Sequence, residues 1–244
     1  MTTVDVQVVR SYRKHAVRPY RLLFNSLNAA LTELTATLVS GKSLATSVSN
    51  DVLRSFSVGD WVEALGLDAQ SQTVLSRRLD ARIQENKEEL VKSFETLRRI
   101  VRDMAAALEA FREGMWADIA CDDDAHEVLR DVSMREALDS QRSATSTTTS
   151  LTHRQVCRTV EGVVEMCWRE VEEVKKLVVE DVVRACEGYR KVKGAGGEGG
   201  VYATREYWEL RVLAWVTDVY LERDKVERNM KAMAVDAGLP YYVK

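Results

Sequence analysis

Few side chains in this sequence are placed to do chemistry. His153 and Cys157 stand four apart, a spacing that sets two metal ligands on one helical face, but no third or fourth ligand accompanies them. Asp122, Asp123 and Asp124 could face a hard cation. They lack the spaced donors and the glycine of a calcium loop, and they suit the positive start of a helix instead. "ATLVSGKS", Ala36 to Ser43, imitates a phosphate-binding loop with Ala36 in place of the first glycine, and a helix precedes it where a strand is needed. His15, His126 and His153 fall on separate elements with no nucleophile beside them to activate. These observations point to a chain without catalytic residues, cofactor or metal.

The rest of the chemistry is that of surfaces. Trp168, Trp208 and Trp215, with Tyr207 and Tyr220, enrich the C-terminal third in the side chains that dominate protein interfaces. "YRKHAVRPYR", Tyr12 to Arg21, is basic with interleaved aromatics. On a chain of net charge −3 it fits a solvated face or an acidic partner, and direct nucleic-acid binding is not expected.

Two prolines in 244 residues favour long helices, because an interior proline costs about 3 kcal/mol. A first helical region spans about 4–39, kinked or restarted at Pro19 and stopped at Gly41, so that residues 1–41 form one segment and 42–69 a connector. In the segment 70–121, Leu90, Phe94, Leu97, Val101, Met104, Leu108, Phe111 and Met115 recur at alternating steps of four and three, which is a coiled-coil seam. That helix would be about 75 Å long at ~1.5 Å per residue, and its seam calls for helical partner proteins along its length. A short helix and a Ser/Thr linker, Asp139 to Ser150, fill 122–151.

Thr152 and Gln155 form a capping box for a third long helix, 152–193, whose 4-3-4 spacing from Val156 to Tyr189 predicts a straight or faintly right-handed helix. "GAGGEGG" makes a hinge over 194–203, and Thr204 opens a C-terminal helix, 204–244, closed by Gly238 and Pro240. Its stripe is Trp208, Val212, Trp215, Val219, Val226, Met230 and Met233. Trp215 should therefore pack inside, with Tyr207, Tyr220, Glu222 and Asp224 facing a partner. The fold class is all-α, an elongated bundle of four long helices with coiled-coil character. No run reaches the roughly 18 apolar residues of a membrane span, no hydrophobic signal core opens the chain, and Cys121, Cys157, Cys167 and Cys186 lack metal or disulfide-type spacing. A soluble protein of a reducing compartment is expected.

Several motifs share an order with a known family. "WVTDVYLERD" resembles the C-terminal W-x4-Y-Φ-E-x-D pattern of the cyclin-dependent kinase 2-interacting protein (CINP) family at Trp215, Tyr220, Leu221, Glu222 and Asp224. Met233, Asp236 and Gly238 match the M-x-x-E-x-G that follows. "VVEMCWRE", Val163 to Glu170, is similar to the family's L-L-E-M-Y-x-K-E, with Cys167 where the family has Tyr. "EELVKSFETLRRIVRDM" and "FNSLN" match further segments. The resemblance implies a distant homologue that is a non-enzymatic adaptor. It implies a type II AAA+ ATPase complex with a second helical ribosome-maturation factor, at work on pre-60S particles or the replisome. It further implies links to cyclin-dependent or checkpoint kinases and a nuclear location shared with the cytoplasm. The alternative is a coiled-coil scaffold subunit of another assembly, such as a kinetochore, tether or ribosome-associated complex.

Overall fold

The computed structural model describes residues 6–66, 68–116, 123–132, 151–194 and 200–239. Among them there is no β-strand, and the chain is all-α. The helices are α1 (Val6–Phe56), α2 (Val58–Ala64), α3 (Ala69–Gly114), α4 (Asp123–Leu129) and α5 (His153–Arg169). A π-helical segment (Glu170–Lys175) leads directly into α6 (Lys176–Gly194). A 3-10 turn (Gly200–Ala203), α7 (Arg205–Val216) and α8 (Arg223–Ala237) complete the order. The Ser/Thr linker, Cys121, Asp122, most of the glycine hinge and Pro240 lie outside the described residues.

Three expectations about helix extent and continuity need correction. The first helix does not end at Gly41. It runs on to Phe56 through most of the expected connector, and Pro19 sits inside it rather than at a restart. The third helix is not one continuous α-helix, because a π segment interrupts its winding after Arg169. The C-terminal helix is two helices, α7 and α8, separated at Thr217–Glu222. The break resets the helical phase, so Val219, expected on the inward stripe, is 58% exposed.

Local signals hold where the chemistry is local. Thr152 and Gln155 exchange the two bonds of a capping box, Thr152 N–H to Gln155 Oε1 at 2.9 Å and Gln155 N–H to Thr152 Oγ1 at 3.2 Å. Gly238 ends α8 in the left-handed conformation (φ 64°), and the Leu239 N–H reaches the Ala234 carbonyl at 2.9 Å. Thr204 does precede α7, but its hydroxyl donates to the Val201 carbonyl at 2.8 Å instead of capping the helix.

The chain divides into two compact units, and α1, α3 and the third helical run contribute to both. The first comprises Met1–Thr32, Ile100–Cys167 and Leu221–Lys244. Its core takes Tyr12, Tyr20 and Leu27 from α1, Met104, Leu108 and Phe111 from α3, Val156 and Val160 from α5, and Met230 and Met233 from α8. The Tyr20 hydroxyl donates to the Met233 carbonyl at 3.2 Å, and the Phe111 ring lies 5.1 Å from the His153 ring.

The second unit comprises Glu33–Arg99 and Trp168–Tyr220. It buries Leu34, Leu38, Val48 and Val52 of α1, Ile83, Leu90, Phe94 and Leu97 of α3, Val178, Val182 and Tyr189 of α6, and Trp208 and Trp215 of α7. Ser55 donates to the Tyr189 hydroxyl at 2.6 Å, and Tyr189 donates to Asp80 at 2.7 Å. These bonds satisfy a tyrosine that is fully buried.

All eight seam residues, seven in α3 and Met115 just past its end, are buried by the chain's own helices. Leu90, Phe94 and Leu97 lie in the second unit, and Val101, Met104, Leu108, Phe111 and Met115 in the first. The seam thus needs no outside helix for its own burial, which is achieved within one chain. A stretch of α1 is long and apolar enough, on length and composition alone, to cross a membrane, contrary to the sequence expectation. Its burial is one-sided, however: Leu23, Leu27, Leu34 and Leu38 are buried, whereas Thr32, Glu33 and Thr35 are exposed. That is the pattern of a helix laid on a core.

Candidate partner-binding surface

The helix break carrying "TDVYLE" is held by two buried charges of the second unit. An α-helix turns ~100° per residue, so residues five apart diverge by roughly 140°. A π turn closes i→i+5 and brings such residues to one side. Glu170 and Lys175, at the two ends of the π segment, thus face the same way. They form an ion pair at 2.7 Å with side chains 2% and 0% exposed.

Both groups also hold the break itself. Glu170 Oε2 accepts the backbone N–H of Val219 at 2.8 Å and of Tyr220 at 2.7 Å. Lys175 Nζ donates to the Thr217 carbonyl at 2.9 Å. Where a helix stops, its end groups need partners. Here one carboxylate and one ammonium supply them, and each charge is compensated in turn.

Tyr220 is consequently fixed, half-buried, with the Arg169 guanidinium 3.9 Å above its ring. The Tyr220 hydroxyl and Arg169 together hold the Glu173 carboxylate below its usual range. Tyr207, also half-buried, lies under the Arg211 guanidinium at 3.3 Å, with edge contacts to Tyr202 and Trp208. One face of each ring is thereby occupied within the chain. Glu222 and Asp224 are exposed at the start of α8, where Glu222 pairs with Lys225 at 3.3 Å. Tyr207 and Tyr220 belong to the second unit, Glu222 and Asp224 to the first.

A surface that sequence reading missed lies on α7. Trp208 and Trp215 are seven apart and point inward, 1% and 2% exposed. Leu210 and Leu213 stand more than about 130° away from Trp208 at ~100° per residue, and they are 65% and 60% exposed. Val216 beside them is 41% exposed. α7 is thus apolar on both faces, the mark of a helix covered on both sides. Between this face and the Lys42–Leu53 stretch of α1 runs a groove of about 1010 Å³, within the second unit. The signal was readable in "REYWELRVLAWV", because its leucines fall out of phase with its tryptophans.

The residues considered for chemistry occupy other settings. "ATLVSGKS" lies within α1, where its backbone N–H groups are spent on the helix. His153 and Cys157 touch, with Sγ 3.6 Å from Nε2, and no third ligand joins them among the described residues. Cys157, Cys167 and Cys186 are buried and form no disulfide, and burial pushes the Cys157 and Cys186 thiols up. Trp168, one of the interface-type aromatics, is 47% exposed.

Burial, reinforced by the charges of Arg130, Arg112 and Arg154, pushes the His153 imidazole down to about 4. The unfolded chain takes up a proton near pH 6.5, whereas the folded one resists it. This stability is therefore complete above pH 6.5 and is lost as the pH falls toward 4. At about 1.4 kcal/mol per unit the ceiling is ~3 kcal/mol, and water screening at the ring's edge brings it to roughly 2. Urea midpoints at pH 7 and 4.5 should fall further for the native chain than for His153→Phe. An equal fall in both would show that His153 does not carry the effect.

Comparison with protein-family models, curated proteins and solved structures returned no match for this chain.

Proposed function

We propose that this protein is a non-enzymatic helical adaptor that binds a partner subunit through the outer face of α7. The observation that carries the reading is the second apolar face of that helix. Exposing Leu210, Leu213 and Val216 forgoes burial worth ~1.5–3 kcal/mol for each fully covered aliphatic side chain. A partner helix laid in the groove beside α1 would recover it, the mode in which an amphipathic helix fills an apolar cleft. The alternative is a coiled-coil scaffold subunit of another assembly, which the absence of an AAA+ ATPase from the purified complex would favour.

The motif order shared with the CINP family supplies the more specific form of the proposal. In that form the partner is a type II AAA+ ATPase complex with a helical ribosome-maturation factor, acting in the nucleus on pre-60S particles or at the replisome. Affinity purification of the full chain, read by mass spectrometry, should recover an AAA+ ATPase in stoichiometric amount. The double variant Leu210→Glu/Leu213→Glu should lose it by tenfold or more while melting within a few degrees of the native chain. Retention of the ATPase by that variant would overturn the α7 assignment. Recovery of the chain without any AAA+ subunit would overturn the specific form.

A further inference from the structure

A second groove, of about 620 Å³, lies in the first unit between the start of α1 and the end of α3. Its apolar lining has Leu23 and Phe111 buried at the base and the exposed Leu22 at the rim, and the small side chains of Ala107 and Ala110 leave room where longer residues would fill it. Every charged or titratable group in its lining is basic: Lys14, His15 and Arg18, from the stretch "YRKHAVRPYR". Lys14 and Arg18 are exposed, one turn apart on the same wall. This basic, apolar-floored cleft stands on a chain whose net charge is −3.

The aromatics of that stretch decide against nucleic acid. Tyr12 and Tyr20 are 0% and 3% exposed, packed inward, so neither can stack on a base. The apolar surface is recessed between two helices, whereas an interfacial helix offers its apolar face outward to a membrane. A recessed apolar floor beside one basic wall is complementary to a helix with an apolar stripe flanked by carboxylates. We propose that this groove takes an acidic amphipathic helix of a partner protein, with its apolar stripe on Leu22 and Ala110 and its Asp or Glu side chains against Lys14 and Arg18. The proposal goes beyond the adaptor reading and does not depend on the α7 face.

A displayed library of helical peptides, selected on the full chain, tests it. Enriched peptides should carry apolar residues at i, i+3 or i+4, and i+7, with Asp or Glu beside them. Fluorescence anisotropy of the tightest should show affinity falling as salt rises. Lys14→Glu/Arg18→Glu should weaken binding by tenfold or more, and Ala110→Trp, which fills the groove without altering charge, should do the same. Circular dichroism melting confirms that both variants fold. Leu210→Glu/Leu213→Glu should bind the peptide as the native chain does, which separates this site from the α7 surface. Enrichment of neutral or basic peptides, no enrichment at all, or equal binding by the charge-reversed chain would overturn the proposal. So would tighter binding of a single-stranded oligonucleotide or of phosphatidylserine vesicles, lost on the same charge reversal.

Discussion

Lys175→Met is expected to destabilise the protein by about 3–5 kcal/mol, the cost of removing one partner from a buried ion pair. The methionine fills much of the space, so the loss is electrostatic rather than a cavity. Glu170 keeps its two backbone donors at Val219 and Tyr220 but loses the ammonium at 2.7 Å, and the Thr217 carbonyl loses its donor. In many proteins an apolar pair can replace a buried ion pair at little cost. Here the double variant Glu170→Leu/Lys175→Met should remain destabilised, because the two N–H groups and the carbonyl of the break would then have no partner. Chemical denaturation of the single and double variants measures both. A double variant as stable as the native chain would show that the pair is dispensable to the break.

Trp215→Ala is expected to cost about 3–5 kcal/mol, the usual loss for a buried aromatic replaced by alanine. The indole is 2% exposed, and its Nε1 donates to the Leu38 carbonyl at 2.9 Å. The ring also explains Gly41. A Cβ built on Gly41 would collide with the indole, 2.6 Å from its Cε2, so this glycine is a seat for a side chain and not a helix stop. Gly41→Leu should therefore destabilise by an amount comparable to the tryptophan truncation, although leucine is by far the better helix former. Gly41→Leu combined with Trp215→Ala should recover part of the loss, since the new side chain enters the vacated space. Thermal melts of the three variants test the coupling. Simple addition of the two losses would show that the residues do not share this space.

The correct and the mistaken readings divide along one physical line. The eight-residue stripe from Leu90 to Met115, the capping box at Thr152 and the αL closure at Gly238 depend on residues within a few positions of one another, and each is found as read. Gly41 was misread because a glycine in a helix has two opposite explanations, and the deciding atom sits on Trp215. The break at Thr217–Glu222 contains neither proline nor glycine, so nothing local announces it. It exists because Glu170 and Lys175, more than forty positions away, satisfy the groups it exposes.

The candidate surfaces follow the same division. That α7 is apolar on two sides is periodicity, legible from Trp208, Leu210, Leu213 and Trp215 alone. Which side faces out was settled by packing, when Trp215 found the Leu38 carbonyl and the space over Gly41. The basic stretch at Tyr12–Arg21 was equally visible, but only burial of its tyrosines separates an acidic-helix cleft from a stacking platform. By itself the sequence determined the helical class, the inward stripes and the local caps, since these follow from periods and short-range hydrogen bonds. The tertiary structure alone decided where a helix breaks and which faces stay open. Those outcomes are set by buried charges and ring contacts between residues far apart in the chain, which leave no period to read.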